Sequence, residues 1–180
     1  MTFYKRRLPH WLPEGKAVFF TWRLYGSLPA QRFSNSELSA GERFKETEKI
    51  LDRAHSGPIW LKDPPIAQLV AAAILRGASE LQHYNLHSYS VMPNHVHLLV
   101  TPKLQVQKIT RALKGVTARK ANDLLHRTGL PFWQDESFDH WVRDEGEFNR
   151  LKRYIERNPV KAQLVRTPEE WPWSSASRIA

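Results

Sequence analysis

Apolar residues recur along this chain with different periods, and each period indicates a type of element. Short runs that are rich in β-branched and aromatic residues, or that alternate with a period of two, predict strands at 17–24, 86–92, 95–101 and 137–144. Segments with apolar positions three and four residues apart predict helices at about 41–54, 64–81, 104–126 and 145–157. The predicted order of elements is therefore β-α-α-β-β-α-β-α.

This order predicts an α+β fold of the ferredoxin-like kind, in which helices pack on a mainly antiparallel sheet. Pro93-Asn94 predicts a tight turn that joins the two middle strands into a hairpin. Asn158-Pro159 is expected to end the last helix, because proline disfavours a helical residue before it. The 180 residues suit one domain, which we expect over 1–180, with an extra loop and helix segment around 26–63 of unassigned role.

The predicted hairpin carries two histidines, His95 and His97, in the stretch MPNHVHLLV. Successive side chains of a strand point to opposite faces, so both imidazoles share one face while Val96, Leu98 and Val100 point into a core. Two imidazoles on one face can hold one metal ion or flank one phosphate. They can equally be two hydrogen-bonded strand histidines, and the pattern alone leaves these alternatives open.

The charge balance favours a polyanionic partner. The chain has 27 Lys and Arg against 18 Asp and Glu, a formal net charge of +9, and nucleic acid is the most frequent partner of such domains. Cysteine is absent, which excludes a disulfide framework and a thiolate metal site and fits a cytoplasmic protein. We find no signal peptide and no apolar run long enough to cross a bilayer, so we expect no membrane partner.

The basic residues concentrate in two places, the N-terminal segment and the third predicted helix. Between Lys103 and Arg127 seven basic residues are opposed only by Asp123. A solvated helix face is the simplest explanation of such a run, but the strong bias favours phosphate contact. The candidate phosphate-binding residues are Lys5, Arg6, Arg7, Lys108, Arg111, Lys114, Arg119 and Lys120.

The last predicted helix adds a candidate nucleophile. Tyr154 and Asn158 are four residues apart, on one side of the helix and at the edge of its apolar stripe. A tyrosine in this position is commonly a packing residue with its hydroxyl in water. Together with the histidine pair and a phosphate-binding surface, however, a phenol supplies the parts for cleaving a phosphodiester through a covalent phosphotyrosine.

The stretches MPNHVHLLV and YIERNPVKAQLV together resemble the REP-associated tyrosine transposases, relatives of the IS200/IS605 transposases within the HUH endonucleases. The resemblance runs from PHWLPEGKAVFFTWRL to WPWSSAS. It implies that His95 and His97 bind a divalent Mg or Mn ion, that the Asn158 amide lies near this metal, and that Tyr154 is the nucleophile. Phe138 stands where many relatives have tyrosine, so a second tyrosine nucleophile is not expected.

The resemblance also implies a function. We expect a metal-dependent endonuclease and transposase that cleaves and rejoins single-stranded DNA at REP-like palindromic hairpins through a 5′-phosphotyrosine, in the bacterial cytoplasm at the nucleoid. The resemblance leaves open whether the protein is a monomer or a dimer, and whether the segment around 26–63 contacts DNA or is scaffolding.

Other function classes are weighed against this one. A His-x-His-x-His hydrolase needs histidine at Leu99, and a metallo-β-lactamase-like site needs Asp-His where the chain has Leu98-Leu99. The strongest alternative is a catalytically silent, domesticated protein that binds DNA hairpins without cutting them. A structural basic protein bound to duplex DNA or RNA is a third class, and it predicts no effect of metal.

Overall fold

The computed structural model describes residues 15–28, 39–53 and 57–177. The strands are β1 (Val18–Leu24), β2 (Tyr84–Val91), β3 (His95–Pro102) and β4 (Trp133–Trp141). The helices are α1 (Ala40–Arg53), α2 (Pro64–Ser79), α3 (Val106–Leu124) and α4 (Glu145–Lys161), with short 3-10 turns at Trp60–Lys62 and Pro168–Glu170. The predicted order of elements and the α+β class are confirmed. The predicted phosphate contacts Lys5, Arg6 and Arg7 lie outside the described residues.

The four strands form one sheet in the order β2-β3-β1-β4, and every neighbouring pair is antiparallel. This is the strand order of a ferredoxin-like fold, and it makes β1 and β3 the central strands. In their register Thr21 lies opposite His97 and Arg23 opposite His95. The histidine strand is therefore shielded by a neighbour on each side.

The sheet has two covered faces with different contents. Val96, Leu98 and Val100 of β3 pack in the larger core cluster, whose other members include apolar residues of α2 and α3. Leu99 faces the other way and packs in a smaller cluster with Ile155 of α4. His95 and His97 share the parity of Leu99, so they face α1 and α4, and the basic helix α3 lies on the opposite side of the sheet.

The boundaries of two predicted elements, the last helix and the last strand, were wrong. Helix α4 does not end at Asn158-Pro159 but continues to Lys161. Proline lacks the amide hydrogen that would bond within the helix, and its ring crowds the preceding turn. Its fixed φ nevertheless suits a helix, and only Val160 and Lys161 follow Pro159 in α4. Strand β4 spans Trp133–Trp141 rather than 137–144. Its extent follows its pairing with β1, from Leu24 opposite Trp133 to Val18 opposite Trp141.

No helix within the described ranges is long and apolar enough to span a membrane.

We predict that Gly77→Ala destabilises the fold, because helix α2 crosses β2 where the Tyr84 hydroxyl occupies the space of a Cβ at Gly77. That hydroxyl donates to the Ile74 carbonyl over 2.7 Å, so a methyl group would displace a buried ring and break its hydrogen bond. The expected loss in the free energy of unfolding is about 1–3 kcal/mol, measured by urea denaturation.

Gly115→Ala in α3 is the matched control, since no atom lies within 4 Å of a Cβ there. It should raise the free energy of unfolding by about 0.5–1 kcal/mol through helix propensity. Equal effects of the two substitutions would contradict the packing of Tyr84 against α2.

Candidate functional site

The two histidines of β3 converge on one point beneath α1 and α4. Both side chains are fully buried. Their Nε2 atoms are 3.0 Å apart, and the ring centroids are separated by 4.6 Å. Residues two apart on a strand project the same way, so this convergence is a direct result of the strand period. In the structure His95 and His97 share one face of β3, as predicted.

Neighbouring side chains hold each imidazole by its other nitrogen. Nδ1 of His95 lies 2.7 Å from Oδ1 of Asn94, an oxygen that only accepts, so this nitrogen carries the proton and Nε2 keeps its lone pair. Nδ1 of His97 lies 2.8 Å from the Thr21 hydroxyl, and Phe19 stacks on the His97 ring at 5.7 Å. Such outer contacts are typical of metal-binding histidines because they fix the ring orientation.

Burial keeps His95 uncharged. Loss of solvation lowers the pKa of His95 to about 3, in spite of the opposing effect of the Glu48 carboxylate. A neutral imidazole with a free lone pair is the form that binds a metal ion.

Helix α4 brings Tyr154 and Asn158 to the same place, as their four-residue spacing predicts. Nδ2 of Asn158 lies 3.0 Å from Nε2 of His97, and Asn158 is fully buried. The Tyr154 ring centroid is 5.4 Å from that of His97. All four residues selected from the sequence as nucleophile and metal ligands therefore meet in one site.

One further residue of the site was missed in the sequence. Glu48 of α1 is buried, and its Oε2 lies 3.0 Å from Nε2 of His97 and 4.0 Å from Nε2 of His95. The same oxygen accepts a hydrogen bond from the Tyr154 hydroxyl. A signal was present: Phe44, Glu48 and Leu51 are spaced as one helical stripe, and a carboxylate in the middle of an inward stripe is unusual.

The carboxylate and the phenol have opposite protonation tendencies. Burial alone would raise the pKa of Glu48, but its electrostatic interaction and hydrogen bond with His97, followed by its interactions with His95 and Tyr154, lower it to about 2. Burial, followed by the charge of Glu48 and its hydrogen bond, raises the pKa of Tyr154 far above its ordinary value. In this arrangement the carboxylate is ionised and the phenol is neutral.

The site has the composition of a metal centre. Donor atoms of Glu48, His95 and His97 all lie within 4.8 Å of one another, and all three residues are buried. Two buried oxygens at the site, Glu48 Oε1 and Asn158 Oδ1, have no hydrogen-bond partner in the described part of the chain. Imidazole nitrogens and carboxylate oxygens are ligands of divalent cations, and unsatisfied oxygens are what a cation would bind. This buried group can therefore bind a metal ion.

The predicted basic helix does not reach this site. Lys108, Arg111, Arg119 and Lys120 are exposed on α3, across the sheet from the histidines. The fifth residue, Lys114, donates from Nζ to the Gln134 and Asp135 carbonyls of β4 at 2.6 and 2.9 Å.

Other basic residues lie on the site side of the sheet. Arg150, Arg157 and Lys161 are exposed on α4, and their spacing places them on the same side of the helix as Tyr154. Lys161 Nζ is 5.7 Å from the centre of the Tyr154 ring and 2.6 Å from Oδ2 of Asp52. Positive charge close to Tyr154 therefore comes from α4.

Comparison with solved structures supports the fold. A structure of a REP-associated tyrosine transposase bound to a REP hairpin superposes with a TM-score of 0.55 at 21% sequence identity, covering 97% of this chain and 82% of the other.

Two curated proteins are similar in sequence. A candidate REP-associated tyrosine transposase of Haemophilus influenzae is 28% identical over 112 residues, which cover 54% of this chain and 62% of that protein. The REP-associated tyrosine transposase of Escherichia coli K12 is 23% identical over 112 residues, which cover 62% and 65%. The match thus spans a little under two thirds of each relative.

The sequence model of the family described as "Transposase IS200 like" matches residues 62–158, more than half of the chain. This match contains the histidine hairpin, Tyr154 and Asn158, and leaves α1 outside. The chain belongs to the IS200-like transposase family.

Proposed function

We propose that this protein is a metal-dependent, hairpin-specific single-stranded DNA endonuclease and strand transferase in which Tyr154 is the nucleophile. The observation that carries the proposal is the meeting of the Tyr154 phenol with the His95–His97 pair and the Asn158 amide in one site of a transposase family. A site that served only as packed core would not need these polar contacts, because apolar residues in the same positions would cost less free energy to bury.

The proposed reaction exchanges one phosphodiester for another. The Tyr154 oxygen loses its proton and attacks the phosphorus in line, the new O–P bond forms, and the 3′ oxygen leaves and takes up a proton. The products are a 5′-phosphotyrosine and a free 3′ hydroxyl. Attack by a 3′ hydroxyl on the phosphotyrosine reverses the exchange, so the strand is rejoined without an external energy source.

We propose that His95, His97 and Asn158 hold the divalent cation, Mg²⁺ or Mn²⁺. Asn158 fits this role when its amide is rotated, because the rotation exchanges the positions of Oδ1 and Nδ2. Oδ1 then lies where Nδ2 lies now, 3.0 Å from Nε2 of His97. When bound, the cation would polarise a non-bridging phosphate oxygen and orient the phosphate for attack.

We propose REP-like palindromic hairpins as the substrate. Two observations support this: the similar proteins are named REP-associated tyrosine transposases, one of them bound to a REP hairpin, and this chain has a net charge of +9. Such DNA belongs to the bacterial chromosome, so the proposed place of action is the cytoplasm. We further propose that residues 1–180 act as one domain.

We propose two separate roles for the basic residues. Arg150, Arg157 and Lys161 lie around Tyr154 and would guide the scissile strand to the phenol. Lys108, Arg111, Lys114, Arg119 and Lys120 of α3 would add sequence-independent phosphate affinity at a distance from the reaction, and Lys5, Arg6 and Arg7 would add phosphate affinity of the same kind.

A second candidate is a protein that binds DNA hairpins without cutting them. The closed state of the site favours it: His95, His97 and Asn158 are fully buried, and the Tyr154 hydroxyl is bonded to Glu48. The two candidates differ in one observable, the covalent protein–DNA adduct.

Tyr154→Phe is expected to abolish the adduct. The substitution removes the nucleophilic oxygen and almost no volume, so hairpin affinity should stay within about twofold, and stability should fall by about 1.5–3 kcal/mol for the lost hydrogen bond to an ionised carboxylate. Incubation with flanking single-stranded hairpins and Mn²⁺, followed by a denaturing gel, measures the adduct. Tyr25→Phe is the control, since Tyr25 is 51% exposed, and it should form the adduct normally. An adduct on the Tyr154→Phe protein would rule out this nucleophile, and no adduct on any variant would favour the binding protein.

Replacement of both His95 and His97 by alanine is expected to remove the metal-dependent cleavage and leave hairpin binding largely intact. EDTA should have the same effect on the wild-type protein. His83→Ala, just before β2, is the control and should cleave as wild type does. Cleavage that persists in EDTA would show that no cation takes part.

The two groups of basic residues should differ in what they contribute. For single strands, log K falls with log salt by about 0.7 per neutralised phosphate, so Arg150→Ala with Arg157→Ala, or Arg111→Ala with Lys120→Ala, should each flatten the slope by about 1.4 units. Only the α4 pair should also slow adduct formation at saturating DNA. Fluorescence anisotropy across a salt series gives the slopes, and an unchanged slope for either pair would mean that it contacts only solvent.

A further inference from the structure

Helix α1 lies outside the residues that match the family, 62–158, yet one of its side chains enters the candidate metal site. We propose that Glu48 is a fourth protein ligand of the cation, beside His95, His97 and Asn158, and that α1 is thereby an integral part of the active site. The inference rests on the proposed function, because it presupposes a cation at the histidine pair. It also gives a role to α1, the helix of the segment around 26–63.

The first support is the arrangement of donor atoms. Oε2 of Glu48 faces the two imidazoles, 3.0 Å from Nε2 of His97 and 4.0 Å from Nε2 of His95, while these nitrogens are 3.0 Å apart. The two imidazoles come from the sheet and the carboxylate comes from the helix packed over it. Three ligands that converge from two sides leave room for a cation between them.

The second support is the charge. A buried carboxylate is costly unless positive charge and hydrogen bonds satisfy it. Glu48 Oε1 is buried and has no hydrogen-bond partner in the described part of the protein. A divalent cation would compensate the buried carboxylate, and the carboxylate would give the cation a negatively charged ligand beside the imidazoles and the amide.

The third support is that α1 also orients one of the histidines. The Leu51 carbonyl of α1 accepts from Nδ2 of Asn94 at 3.0 Å, and Oδ1 of the same amide accepts from Nδ1 of His95 at 2.7 Å. Turning the Asn94 amide would break both bonds. Helix α1 therefore fixes the tautomer in which the Nε2 lone pair of His95 points into the site.

The fourth support is how α1 is docked. Phe44 stacks on Phe138 with ring centroids 4.3 Å apart and meets Phe19 edge-on at 5.6 Å. Leu51, at the other end of the stripe, is 1% exposed. Apolar contacts one turn before and one turn after Glu48 hold its carboxylate at the histidines, as a ligand requires.

Glu48 would have a different role if its carboxylate occupied the place of a DNA phosphate. Helix α1 would then block the site and move away when the strand binds. The two roles predict opposite responses to Mn²⁺. A ligand binds the cation more weakly when its charge is removed, whereas removal of a plug leaves cation affinity unchanged or raises it.

The test is a titration of the metal-free full-length protein with Mn²⁺ in the absence of DNA. Calorimetry and the electron paramagnetic resonance signal of free Mn²⁺ both give the dissociation constant. Glu48→Gln keeps the shape and removes the charge, and its dissociation constant should be at least about tenfold higher than that of the wild type. Glu46→Gln is the matched control, because this exposed carboxylate lies on the outer side of the same helix, and it should change the constant less than twofold.

Hydrogen exchange of the wild-type protein gives a second measurement, and its main result does not depend on the folding of a Glu48 variant. Mn²⁺ should slow amide hydrogen exchange in α1 when Glu48 is a ligand, and this slowing should be absent in His97→Ala. Unchanged or faster exchange in α1 with Mn²⁺ bound would overturn the inference.

The outcomes separate the inference from the proposed function. When the wild type binds Mn²⁺, His97→Ala does not, and Glu48→Gln binds as the wild type does, the histidine site stands and the role of Glu48 is refuted. When neither the wild type nor any variant binds Mn²⁺, the metal dependence of the proposed function fails as well.

Discussion

The two-residue period of β3 is the constraint on which the rest of the site depends. Val96, Leu98 and Val100 are buried under α2 and α3, and this fixes which way the alternate residues face. His95 and His97 consequently project together on the other side, where α1 and α4 close over them. A slip of one residue against β1 would put the imidazoles into the apolar core and the valines into the site. The large apolar cluster thus sets the geometry of the polar one.

The polar cluster has the opposite energetic character. Its members are buried, yet Glu48 Oε1 and Asn158 Oδ1 remain without hydrogen-bond partners among the described residues. Each unsatisfied buried group costs about 1–3 kcal/mol, and only a function justifies retaining it. The sheet and the helices α2 and α3 supply the stability that tolerates this cost. The same low-polarity surroundings that make the cluster expensive also strengthen its electrostatic interactions with a cation or a phosphate.

The sequence predicted those parts of the site that depend on local periodicity. A strand period places His95 with His97, and a helix period places Tyr154 with Asn158, so each pair was visible in the chain. The family resemblance then joined the two pairs. Glu48 was missed because its contacts with His97 and Tyr154 join residues far apart in the chain, and no local pattern shows which face of a polar helix will dock. The end of α4 was missed for a related reason, since tertiary packing tolerates a proline that local propensity disfavours.

Exposed basic residues lie on both faces of the sheet, on α3 and on α4, and this placement bears on how DNA can lie on the protein. The outer edge of β2 is covered at its C-terminal end, because the Val91 amide bonds to the Trp173 carbonyl and Ser90 pairs with Ser174. A strand that contacts both α4 and α3 would therefore pass the β4 edge, where a cleft lined by residues that include Arg111 and Lys114 lies between α3 and β4. Phosphate contacts of Arg111 and Lys114 would then lie on one side of that edge, and Tyr154 would lie on the other side. Affinity that acts equally on bound substrate and transition state raises occupancy rather than rate, so under the proposed function the rate would depend on the residues around Tyr154.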